Sequence, residues 1–151
     1  SLSILLKLFK KRNVEIATLV KEIKTPEDLF DYNTVKVVRA MDGKAMYFSR
    51  SAVPFIRDKA IRSHGKIFWK ETGPVAYKAE VLRRISKLAA TPAEQAEKLE
   101  ALRWLEHGYA VMTGETYYDS ITVEVPEDIA KAEKYYHEKQ ERDQQLINIK
   151  P

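Results

Sequence analysis

Three carboxylates crowd one late stretch of the chain: Glu124, then Glu127 and Asp128 after Pro126. Acids gathered in this way are the ligands a hard divalent cation such as Mg2+ takes. Acids in a first helical turn also complement the positive end of the helix dipole, which is their more ordinary role. His64, His107 and His137 are widely separated, without a partner at metal-ligand spacing; His137 follows Glu133 by four residues and would pair with it on a helix face. Ser49, Ser51 and Ser120 lack the sharp Gly-x-Ser-x-Gly elbow that presents a nucleophile. The absence of cysteine excludes thiolate chemistry and disulfides. Tyr117-Tyr118 and Tyr135-Tyr136 have the faces to stack on a base, but no basic groove accompanies them, so they read as core or dimer packing. No residue is assigned as catalytic on these grounds.

The elements that would position these groups alternate along the chain. Leu2, Leu5, Leu6 and Phe9 fall at helical spacing with lysines opposite, and Asn13 is a stop. The β-branched run from Val14 to Val20 reads as a strand. Thr25-Pro26-Glu27-Asp28 is a helix start, with a hydroxyl cap, proline at the first position and acids behind it. Val35 to Ala40 and Ala45 to Phe48 are strands joined at Asp42-Gly43, the chemistry of a tight hairpin. Residues 54–65 read as a long loop or a short helix. Ile67-Phe68-Trp69 and Val75-Ala76-Tyr77 are strand pieces around Gly73-Pro74. Residues 78–88 predict a helix with Val81, Leu82, Ile85 and Leu88 on one side. The capping box Thr91-Pro92-Ala93-Glu94 predicts another, running to about His107 before Gly108. Tyr109 to Met112 and Ile121 to Val125 follow as strands, and Pro126 opens a last helix.

This alternation predicts one α/β (or α+β) domain over residues 1–151, three-layer-like, with a mixed sheet containing at least one antiparallel hairpin. Its 151 residues, 44% hydrophobic and 32% charged, suit an ordinary globular protein. The net charge of +4 is spread among interleaved acids and bases without a nucleic-acid motif, so no nucleic-acid partner is expected. No apolar run approaches a membrane span, and the start of the chain lacks the order of a signal peptide, so a cytoplasmic protein is expected.

Several strings resemble one enzyme family. Val35-Lys36-Val37-Val38, Tyr47-Phe48-Ser49-Arg50, Leu99-Glu100-Ala101-Leu102-Arg103 and Pro126-Glu127-Asp128-Ile129 follow the order and spacing found in the C-terminal part of the 3-deoxy-manno-octulosonate (Kdo) cytidylyltransferases. The resemblance runs from about Val14 to Tyr136. It implies a nucleotide-binding α/β fold, a homodimer and a cytoplasmic, Mg2+-dependent transfer of CMP from CTP to Kdo for lipopolysaccharide synthesis. It also implies Arg57, Tyr77 and Glu100 as contacts to the sugar acid, and Glu124 as the metal ligand. The family's triphosphate-wrapping and magnesium-binding strings, Ala-Arg-x-x-Ser-x-Arg-Leu-Pro-x-Lys and Gln-Gly-Asp-Glu-Pro, do not occur, so the nucleotide-binding N-terminal half is expected to be absent.

Other positions depart from the pattern. Glu71 and Val75 stand where the family has a histidine and a tyrosine facing the sugar acid, and Ala101 where it has glutamine. Glu124 replaces an aspartate, moving the oxygens of a magnesium ligand by one methylene. The expectation is therefore a non-catalytic, truncated or redesigned derivative of a CMP-Kdo synthetase that self-associates through Phe55, Phe68 and Trp69. The alternatives are a cytidylyltransferase module that uses Mg2+ with a separate CTP-binding half, and a small-anion or sugar-acid binding module.

Overall fold

The computed structural model describes residues 2–11, 13–58, 66–118, 126, 129–130, 132–137 and 140. The chain divides into two compact units, Ser1–Asp119 and Ser120–Pro151. In the second unit the described positions between 126 and 140 are helical, in line with the helix predicted from Pro126, and Gln140 Nε2 donates to the Tyr136 hydroxyl at 2.9 Å. Glu124, Glu127 and Asp128, the strand predicted over Ile121 to Val125, His64 and Ser120 lie outside the described residues.

The first unit is built on β1 (Ile16–Glu22), whose central residues are buried on both faces. One edge of β1 pairs in parallel with β6 (Val111–Glu115), Ile16 opposite Val111 through Val20 opposite Glu115. The other edge pairs antiparallel with two short strands: β4 (Trp69–Glu71) beside Val20 to Glu22, and β5 (Ala76–Tyr77) beside Ile16 and Ala17. Gly73, at φ +87, breaks this second strand in two, and a methyl group there would stand 3.5 Å from Leu19 Cδ1. Beyond β4 come β2 (Lys36–Arg39) and β3 (Ala45–Ser49), the predicted hairpin, with Gly43 at φ +89 in its turn. The mixed α/β sheet therefore has six strands, ordered β3-β2-β4-β1-β5, with β6 pairing β1.

Helices cover both faces. Alternation along β1 sends Ala17 and Leu19 toward α1 (Leu2–Phe9), where they pack with Leu5, Leu8 and Val14. Ile16 and Val20 face the larger core, formed with Phe48, Trp69, Val81, Ile85, Leu102, Trp104 and Val111. Gly114 of β6 lets α1 approach closely: a methyl group there would stand 2.7 Å from Ile4 Cγ2 and 3.1 Å from Leu8 Cδ1. Gly114→Ala is expected to destabilise the unit by about 1–3 kcal/mol, the usual cost of overpacking, measured by urea unfolding.

Short helices hold the other elements in place. In α2 (Pro26–Phe30), the Thr25 hydroxyl accepts the Asp28 N–H at 3.3 Å, and the Asp28 carboxylate reaches across to Lys70 at 2.9 Å. α3 spans Ala79–Ile85, shorter than predicted, and Leu82 is exposed rather than facing the core.

The helix predicted from Pro92 to His107 is two helices, α4 (Pro92–Glu97) and α5 (Glu100–Glu106). Lys98 between them adopts φ +55. The break coincides with long-range contacts from the end of β3. The Arg50 Nε takes the Glu97 carbonyl at 2.8 Å, and the Glu97 carboxylate accepts the Ser49 hydroxyl at 2.6 Å and the Arg50 N–H at 2.9 Å. Those contacts anchor the end of β3 at the cost of continuing the helix. The strand predicted over Tyr109 to Met112 begins later, at Val111, because Gly108 turns at φ +82 and the Tyr109 N–H bonds back to Trp104.

Candidate functional site

The face of β1 that meets the larger core carries one polar group, Thr18, between Ile16 and Val20. The strand register decides its company. Ile16 lies opposite Tyr77 and Val20 opposite Glu71, so Tyr77, Thr18 and Glu71 form a row across the sheet face. The Thr18 hydroxyl donates to Glu71 Oε1 at 2.9 Å. Burial pushes the Glu71 carboxyl above its ordinary value, with the Thr18 bond opposing that rise. Among the described residues no cation pairs with it.

α5 closes the row from above. The Trp104 ring meets the Tyr77 ring edge-on, with centroids 5.4 Å apart and planes at 90°. Glu100 lies one helical turn earlier and is near enough to act on the Tyr77 phenol. Burial, then Glu100, then Glu71 push the phenol up to about 12. Tyr77 is therefore a protonated donor at neutral pH, and its hydroxyl makes no hydrogen bond among the described residues. The Trp104 Nε1–H is likewise buried without a partner. Glu100 is exposed and borders a cavity of ≈310 Å3 with Glu94, Gln95 and Lys98.

This arrangement has a donor in Tyr77 and acceptors in Glu71 and Glu100, with no nucleophile-base pair. It is suited to holding a polyhydroxylated ligand by hydrogen bonds. Of the four residues singled out in the sequence, Tyr77 and Glu100 come together here. Arg57 is exposed and makes no hydrogen bond or ion pair with either among the described residues, while Glu124 lies outside them. Thr18 and Trp104 were not identified from sequence; the Glu100–Trp104 spacing of one helical turn was the available signal.

A second polar cluster lies at the opposite end of β4. The Arg39 Nε donates to the Thr113 hydroxyl at 2.7 Å, and Glu115 pairs with Arg39 at 3.0 Å and with Lys66 at 2.9 Å. Arg39 also stacks on Trp69, 4.3 Å from the ring centroid. Trp69 is thus buried under a cation and is not the exposed self-association contact expected of it; Phe55 is exposed, as such a contact must be. Tyr117 and Tyr118 are exposed rather than packed in the core.

The mixed six-stranded sheet with helices on both faces is an α/β fold, and its likeness to a solved CMP:2-keto-3-deoxy-manno-octonic acid synthetase makes it nucleotidyltransferase-like. The family model described as cytidylyltransferase matches residues 2–113, and the chain belongs to that family. It is 44% identical over 132 residues to the 3-deoxy-manno-octulosonate cytidylyltransferase of Parabacteroides distasonis, covering 82% of this chain and 52% of that protein. To the enzyme of the same name from Thermodesulfovibrio yellowstonii it is 41% identical over 132 residues, covering 86% of this chain and 52% of that protein. Among solved structures, CMP:2-keto-3-deoxy-manno-octonic acid synthetase complexed with CTP superposes with a TM-score of 0.78 at 30% identity, over 91% of this chain and 55% of that one. The chain spans about half the length of the curated relatives it matches.

Proposed function

We propose that this chain is the sugar-acid-binding part of a Kdo cytidylyltransferase and does not by itself transfer CMP. The observation that carries the reading is the unpartnered Tyr77 hydroxyl, held between Glu71 and Glu100 over the edge of Trp104. A donor flanked by two acceptors matches the alternating hydroxyls of a sugar acid. The relatives are named for Kdo and cytidylyl transfer, which gives the substrate class. Glu71 would repel the ligand's carboxylate less than an exposed glutamate does, because burial favours its neutral form.

The chemistry assigned here is binding and orientation of the acceptor sugar. Mg2+, in the family's reaction, would neutralise the triphosphate of CTP. Among the described residues no three histidine or acidic side chains gather as a metal site, and Glu124, given by resemblance as the metal ligand, is not among those residues. The test is a coupled assay for pyrophosphate release from CTP and Kdo in the presence of Mg2+. The expected result is no turnover by this chain alone; sustained release would favour the second reading, a working cytidylyltransferase module.

Self-association is part of the same proposal. Among the described residues β3 is an edge strand, Met46 and Tyr47 on it are exposed, and Phe55 just beyond it is 88% exposed. An apolar edge of this kind pairs readily with a second copy. Light scattering on a size-exclusion column is expected to give the mass of a dimer at micromolar concentration, and Phe55→Glu to shift it toward monomer. A wild-type monomer under those conditions would refute it.

A further inference from the structure

β1 and β6 run parallel, so their carboxyl ends open on the same side of the sheet. In open α/β sheets that is where ligands settle. A cavity of ≈230 Å3 lies there, lined by Lys21 and Glu22 of β1 and Lys24 just beyond it, by Glu115, Thr116 and Tyr117 from β6 and its exit, and by Lys66 and Trp69 beside it.

The charges around it do not balance. Glu115 is already shared by two cations, Arg39 and Lys66, and those pairs hold its carboxyl below the ordinary range. The one remaining acid, Glu22, is offset by Lys24, which has no ion pair among the described residues, so Arg39, Lys66 and Lys24 stand against Glu115 and Glu22. The local excess is positive. Thr116 adds a directional donor: it is 5% exposed, its oxygen accepts the Tyr118 N–H at 3.2 Å, and its own proton has no acceptor among the described residues. A buried hydroxyl proton with no acceptor among the described residues, beside a cavity rimmed by lysines, suits an anionic oxygen.

We propose that this crevice binds a phosphoryl oxyanion, with Thr116 and Lys24 donating to it and Lys66 shared between it and Glu115. The volume accommodates one tetrahedral group with some water. The assignment is independent of the sugar site, since it uses neither Tyr77 nor Glu100.

Trp69 lies on the cavity wall with Lys66 5.3 Å from its ring centroid, so movement of that ammonium should change its fluorescence. Inorganic phosphate and glycerol phosphate would each be titrated into the protein at constant ionic strength. Saturable quenching or enhancement by either, confirmed by calorimetry, is the expected result, and the tighter of the two tells whether a free phosphate or an ester is taken. Lys24→Glu is expected to weaken binding at least tenfold and Thr116→Val several-fold, both leaving the circular dichroism spectrum and melting temperature near wild type. An equal response to matched chloride, the lack of saturation by both anions, or unchanged affinity in a folded Lys24→Glu protein would overturn the assignment.

Discussion

Phe48→Ala is expected to lower the unfolding free energy by about 3–5 kcal/mol, the range for removing a large buried aromatic side chain. Phe48 is fully buried and belongs to the cluster that joins the hairpin to β1, α3 and α5. Its neighbour Ser49 is tied to Glu97 of α4. Emptying this position opens a cavity beneath the point where the hairpin meets the helices. Since a whole domain holds only about 5–15 kcal/mol, a loss of that size leaves a large unfolded fraction at physiological temperature. Urea unfolding followed by fluorescence measures it. A change below about 1 kcal/mol would mean that the hairpin is not part of the cooperative core.

Glu71→Gln is expected to stabilise the protein, and only above a definable pH. Burial raises the Glu71 carboxyl from its ordinary 4.5, so across the window from there up to its folded value the native state holds more protons than the unfolded chain. Stability must then fall as pH rises through that window. As pH rises the carboxyl has to ionise against its desolvation, with Thr18 as its hydrogen-bond donor. Glutamine has nearly the same shape and cannot ionise. The variant should melt close to wild type at pH 4 and above it at pH 8, flattening the pH profile. The opposite sign, with wild type more stable at pH 8, would show that a cation compensates Glu71 in solution.

The local grammar of the chain was easier to read than its packing. Asp42-Gly43 announced a turn because only a few residues tolerate a left-handed backbone, and Gly43 and Asn13 both adopt one. The Thr25 cap was equally plain, since hydroxyl and amide lie three residues apart. The split at Lys98 was not legible: it depends on Arg50, 47 residues away from Glu97, taking a carbonyl that a continuous helix would have used. The burial of Trp69 depends in the same way on Arg39 reaching it from another strand. In the candidate site, Tyr77 and Glu100 were found through family strings, while Thr18 emerges only from the register of β1 against β4. Hydroxyl, carboxyl and phenol meet there through pairings that no sequence window contains.

The claim that Tyr77 and its acidic neighbours form a sugar-acid site is tested most directly by calorimetric titration of Kdo into the wild-type chain and into Tyr77→Phe, without nucleotide. Saturable binding by the wild type is predicted, weakened roughly two- to tenfold when the phenol hydroxyl is removed, the value of one neutral hydrogen bond. A wild-type titration with no heat beyond dilution, or a folded Tyr77→Phe protein that binds as tightly as wild type, would contradict it.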